Sequence, residues 1–474
     1  MDRRAFLAKT GAAIGSAVVA LPLLGCERAG LPDSEAPPLA ADTMRAATTP
    51  VSDRSLRLVA RKGEVALPGG STWKTWSYGG RYPGPEIRVK EGERLRVTVE
   101  NELAEGTTVH WHGVPVPNAM DGVPNLTQEP IAAGASFAYE FEATPAGSYM
   151  YHSHVGLQLD RALLGPLIVE ERTPHVEYDR EHVLVLDDLL PGPPEPLGEG
   201  RGGMMRGPGR GMMGGQVPPY DALLVNGHRP EEPPVFDVRQ GERVRLRLLN
   251  PSGATTFHLA VGGHRLIVTH ADGRPVEPVE VDSLRIGMGE RYDVIVEANN
   301  QGTWPIAAAT VEGDSPPARA VLKYEGSRAE RSPEGLPDGL RGGRRLRYAD
   351  LQSVETLPTG PPDRSFDLTL SGGMMMQPGW TIDGERYPDA APLEIREGER
   401  VRFEMVNHSM MLHPMHLHGH FFRVGNALKD TVLVDPHMGR EAFTFEADNP
   451  GRWFFHCHNL YHLESGMARE VRYV

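Results

Sequence analysis

Four pairs of histidines, each with a single residue between its members, stand out: His110 and His112, His152 and His154, His416 and His418, His456 and His458. On a β-strand, residues i and i+2 point to the same face, so each pair presents two imidazoles side by side. Two domains meeting face to face could enclose a metal cluster with them. Imidazole suits copper, iron, nickel and zinc. Zinc fits poorly, because a closed zinc site takes four ligands and far more are offered here.

Cys457 lies between His456 and His458, so its sulfur points to the opposite face. His462 and Met467 follow it closely, and His413 precedes the His416 pair. Two histidines, one thiolate and a weak axial methionine make a blue-copper electron-transfer site. One strand would then serve a mononuclear copper on one face and a cluster on the other. The remaining nine histidines, among them His175, His182 and His437, read as ordinary core or surface residues.

These pairs lie on a repeat. The stretches 86–101, 235–250 and 393–407 share a strand, a glycine-centred turn and an alternating strand ending in Asn. A second block begins at Gly147, Gly302 and Gly451. His110 lies 18 residues after Gly92, and His416 lies 18 after Gly398. Period-2 alternation such as Leu95, Val97, Val99 marks half-buried strands. Three copies predict an all-β chain of three Greek-key β-sandwich domains at 51–172, 173–330 and 345–474, with a linker at 331–344. The middle copy has Ala307, Ala308 and Ala309 where the others have histidines, and only His258 near the first pair. It reads as a ligand-free spacer.

Composition narrows the partners. The formal net charge of −14 argues against nucleic acid or an anionic membrane surface. Two cysteines, Cys26 and Cys457, exclude a disulfide framework. Arg3 and Arg4 precede an apolar run from Gly11 to Leu24, which resembles a twin-arginine export signal. Leu23-Leu24-Gly25-Cys26 resembles a lipobox, so Cys26 is either lipidated as a membrane anchor or removed with the signal. Residues 27–50 read as a flexible tether. The expected location is the periplasm or cell envelope, and the expected state a monomer.

Taken together, the four histidine motifs, the embedded Cys457 and the stretch Tyr78 to Arg88 resemble the multicopper oxidases, the family of laccases and bacterial cuprous oxidases. The resemblance runs from about Trp76 to Val474. It implies cupredoxin-like domains and four copper ions. A type 1 copper would be held by His413, Cys457, His462 and Met467, and a type 2 copper by His110 and His416. A type 3 pair would be held by His112, His152, His154, His418, His456 and His458. It further implies one-electron oxidation of a small donor, with four-electron reduction of O2 to water. That reaction needs protons. Asp121, nine residues after His112, matches the family's acidic residue and is expected to donate or relay protons, with a turn aspartate before Gly122 as the alternative. A second family carboxylate usually follows the last type 1 histidine; here Leu463 stands there and Glu464 comes one later.

The electron donor stays open between a phenol or aromatic amine and Cu(I). Thioethers select Cu(I). Met204, Met205, Met212 and Met213 lie in a Gly- and Arg-rich insertion at 192–216, followed by Met374-Met375-Met376 and by Met410-Met411 just before His413. A flexible linker and core filling account for the same methionines. A partly exposed type 1 ligand would admit either donor. The competing non-enzyme reading is a copper-sequestering envelope protein without turnover.

Overall fold

A computed structural model describes residues 53–196, 218–327, 335–357, 359–374 and 377–474. The export signal with Arg3, Arg4 and Cys26, the tether, Met204, Met205, Met212, Met213, Met375 and Met376 lie outside the described residues.

Alternation decides the strands. Along Arg94–Asn101, Leu95, Val97 and Val99 are buried while Arg94 and Arg96 face solvent. The equivalent strand Arg400–Asn407 buries Val401, Phe403 and Met405 in the same way. Among the described residues the strands form six sheets, and the one α-helix is Leu460–Glu464. The sheets pack as three cupredoxin-like sandwiches, the first of two four-stranded sheets and the second and third each of a six-stranded and a five-stranded sheet. In each, the repeat's alternating strand runs parallel to the domain's first long strand: Asp53–Ala66 beside Arg94–Asn101, Arg180–Leu189 beside Arg243–Leu249, Arg364–Met374 beside Arg400–Asn407. The middle domain differs in burial. Arg245 and Arg247 are buried, and both are paired with Asp293.

The Asn that ends each repeat has a structural task. Asn101 Nδ2 donates to Glu105 O and Ile131 O, and its Oδ1 accepts from Leu103 N. Asn407 Nδ2 donates to Met411 O and Val434 O, and its Oδ1 accepts from Ser409 N. Asn250 repeats the pattern with Thr255, Ile286 and Ser252. Each amide braces the turn that leads into a domain's His-bearing strand. Asn407→Ala is expected to cost about 2–4 kcal/mol, because it removes the acceptor of the buried Ser409 N and a donor to each of the buried carbonyls of Met411 and Val434. A urea midpoint unchanged from the parent would contradict this.

Candidate metal centre

The first and third domains build their histidine strands alike. His110–His112 pairs antiparallel with Gly147–His152, placing His110 opposite His152. His413–Leu417 pairs with Arg452–Cys457, placing His416 opposite His456. The middle domain has Phe257–Val261 against Thr303–Thr310, with His258 opposite Ala309. His258 Nε2 instead meets Ser283 Oγ at 2.9 Å.

Period 2 splits the strand Arg452–Cys457. Trp453, Phe455 and Cys457 enter the third domain's own core with Met415 and Met467. Phe454, on the other face, packs with Val123 and Leu126 of the first domain. His456 shares that face, its ring 5.1 Å from that of His154.

Eight imidazoles converge there, all buried. His154, His418 and His456 bring one nitrogen each within 4.8 Å of one another, as do His110, His112 and His152, and His110, His416 and His418. The rings of His112 and His458 are 4.8 Å apart. Hydrogen bonds fix which nitrogen faces inward. His110 Nδ1 and His416 Nδ1 lie 2.8 Å from the main-chain oxygens of Asp121 and Asp430. A nitrogen at a carbonyl carries the proton, so each Nε2 is a lone pair, and both are buried without a partner. Nε2 of His152, Nδ1 of His112 and both nitrogens of His458 are likewise unpartnered. His456 Nδ1 donates to Cys457 O and His418 Nδ1 to the Asp121 carboxylate, yet their Nε2 atoms face each other at 3.0 Å. Opposed lone pairs at that distance repel unless a proton or a metal ion is shared between them. The donor set therefore fits copper.

On the opposite face, His413 Nδ1 and His462 Nδ1 are 3.1 Å apart, and Cys457 Sγ lies 3.6 and 3.5 Å from them. A point about 2 Å from all three atoms exists, close to ordinary metal–ligand lengths. Met467 is buried, and its backbone is tied to both neighbours: Cys457 N donates to Met467 O and Met467 N to His462 O. All twelve ligand candidates thus fall into two adjoining buried groups.

Burial pushes the imidazoles of His112, His154, His416, His418, His456, His458 and His462 below the usual histidine range, and those of His152 and His413 down to about 3. Neutral imidazole is the ligating form. Burial pushes the Cys457 thiol up, so a metal must displace its proton. A pH dependence of the copper-free chain follows. Unfolded imidazoles protonate near pH 6.5 and the folded ones resist, so the unfolded state binds more protons below that pH. Stability is expected to fall as pH drops from about 6.5 toward 3, by up to about 1.4 kcal/mol per pH unit for each imidazole. A urea midpoint that is flat between pH 7.5 and 5.5 would contradict it.

Asp121 is buried, with its carboxylate 3.0 and 3.2 Å from His418 Nδ1 and 3.2 Å from His110 Nδ1. Glu464 is elsewhere. It ends the helix Leu460–Glu464 and lines a cavity of about 300 Å³ shared with His152, His154, His456 and His458. Burial raises its carboxyl.

Three features depart from expectation. His413 and His462, the histidines expected at a type 1 copper, are fully buried rather than partly exposed. Trp380 lies over His462, tilted by 31° with ring centroids 3.8 Å apart, and Ser409 Oγ lies 2.8 Å from His413 Nε2. The middle domain does more than separate its neighbours, because Gly289 lies against His112 and His458. Asp430 is a further carboxylate at the cluster, within 4.8 Å of the His112 and His416 nitrogens. It follows the His416 pair as Asp121 follows the His110 pair, but at a longer spacing.

Multicopper oxidase family models match residues 59–174, 204–327 and 359–474. The multicopper oxidase MmcO of Mycobacterium tuberculosis is 37% identical over 100% of this chain and 97% of its own length. A copper resistance protein A homolog of Pseudomonas syringae pv. tomato is 30% identical, covering 83% of this chain and 88% of its own. The laccase of Botrytis aclada superposes with a TM-score of 0.75 at 26% identity, covering 89% of this chain and 87% of its own.

Proposed function

The chain belongs to the multicopper oxidase family, and from that premise we propose that it holds four copper ions and couples one-electron oxidation of Cu(I) or a phenolic or aromatic amine donor to reduction of O2 to water. The observation that carries this reading is the meeting of eight buried imidazoles from two domains with lone pairs turned inward. His413, Cys457, His462 and Met467 would hold the type 1 ion, and His110 and His416 the type 2 ion. His112, His152, His154, His418, His456 and His458 would hold the type 3 pair. Bound copper would accept single electrons at the first site and supply the electrons for O2 reduction at the cluster.

The chain's own residues do the rest. Cys457 is bonded through the backbone to His456 and His458, giving a short covalent route between the two sites. Asp121 holds His418 and is placed to pass a proton inward. Glu464, in the cavity beside the cluster, is placed to admit one from solvent. Export by the twin-arginine route to the periplasm or envelope, with Cys26 lipidated or removed, is part of the same proposal.

Cu(I) is favoured among donors by two thioethers. Met410 and Met438 are each more than half exposed, on loops joined by His437 N to Ser409 O and Met438 N to Asn407 O. Ser409 in turn contacts His413. O2 uptake with Cu(I) and with a phenol tests this. Met410→Leu with Met438→Leu is expected to lower kcat/KM for Cu(I) roughly tenfold, about 1.4 kcal/mol, and to leave the phenol rate unchanged. Copper binding without O2 uptake on either donor would instead favour sequestration.

A further inference from the structure

The ligand-free middle domain reaches the cluster through the turn 287–291. Gly289 adopts φ +88, and a Cβ there would lie 3.0 Å from both His112 Cε1 and His458 Cδ2. Two residues on, the Arg291 guanidinium is fully buried. Its Nη1 and Nη2 donate to Oδ1 and Oδ2 of Asp430, each at 2.7 Å. Nη1 also donates to Gly289 O at 2.9 Å, and Nε to Ser148 O at 3.2 Å. Ser148 lies on Gly147–His152, the strand that ends in a cluster histidine. One guanidinium thus joins all three domains. It also explains the glycine after His112: a Cβ on Gly113 would lie 2.2 Å from Arg291 Nη2 and 2.7 Å from Asp430 Oδ2.

Asp430 is to the third domain what Asp121 is to the first. Both main-chain oxygens accept from the first histidine of their own domain's pair. Both carboxylates then cross the boundary, Asp121 to His418 and Asp430 to His112 Nε2 at 3.4 Å. Thr431 Oγ1 adds contacts of 3.4 Å to His112 Nε2 and 3.2 Å to His416 Nδ1. The rings of His112 and His416 stack at 3.9 Å, so displacing one displaces the other. Asp272, also of the middle domain, steadies the segment by accepting from Asp430 N and Thr431 N.

We propose that Arg291 and Asp430 form a clamp by which the middle domain positions His112 and His416 and fixes which nitrogen each turns toward the copper cluster. This rests on the four-copper reading. Neutral imidazole has two tautomers, and the partner of the outer nitrogen selects one. The parallel two-bond fork is a guanidinium property that lysine lacks. Removal of such outer partners weakens metal affinity about 10–100-fold.

The test uses the full copper-loaded chain with Arg291→Lys and Asp430→Asn. Each variant is challenged with graded chelator and followed by copper content, the type 2 EPR signal and thiolate-to-copper absorption. Cluster copper is expected to be lost at chelator levels about 10–100-fold lower than in the parent, with the absorption from Cys457 intact. Parental retention of cluster copper in both variants would overturn the clamp. So would parallel loss of the Cys457 absorption in both, which marks a general brace. If one variant alone keeps that absorption, its cluster retention decides. A parent chain that holds no cluster copper would overturn the four-copper reading itself, an outcome separable from failure of the clamp.

Discussion

Cys457→Ser is expected to abolish the visible thiolate-to-copper absorption and to cut donor-driven O2 uptake by more than the ~100-fold that loss of an outer-sphere partner costs. The substitution is nearly isosteric, so the buried core around Trp453, Phe455 and Met467 should hold. A serine hydroxyl ionises far less readily than a thiol and is a poor replacement among His413 and His462. The cluster imidazoles occupy the other face of the strand, so copper content should fall by a single ion per chain. Retained absorption, or loss of all copper, would contradict the division of that strand into two faces. Absorption spectra, metal analysis and O2 uptake on one preparation check it.

Asp121→Asn is expected to slow O2 reduction about 10²–10⁴-fold, the range for loss of a positioned proton-transfer group. The type 1 absorption should be unchanged. The carboxylate is buried and meets only the outer nitrogens of His110 and His418 among the cluster ligands, so its charge is felt at the cluster and not at Cys457. Rapid mixing separates the steps: reduction by the donor should keep its rate, and reoxidation by O2 should slow. Parental reoxidation would leave Asp121 as a turn residue before Gly122.

Much of the site was legible in the sequence because its parts are local. Strand alternation puts His110 and His112 on one face, and the three-fold repeat places the His416 pair at the equivalent position. Cys457 between two histidines is turned by strand alternation to the face opposite theirs. What could not be read depends on packing between domains. Trp380, on the strand Gln377–Ile382, covers His462 on the short helix Leu460–Glu464, so the burial of His413 and His462 had no sequence signature. Arg291 lies in a domain without ligands and gains its role only where three domains meet. Asp430 repeats the part of Asp121, but at a different spacing from its histidines, which hid the correspondence. Glu464 illustrates a milder case: a one-residue displacement from the family position still leaves it in the cavity beside the cluster, because the short helix ends there.

The measurement that bears most directly on the central claim is the copper-to-chain ratio of the reconstituted full chain after exhaustive dialysis against a weak chelator. Convergence of the eight imidazoles beside the Cys457 triad predicts four tightly held ions. A ratio of one, with the Cys457 absorption present, would mean that the histidines of the two terminal domains do not form a cluster.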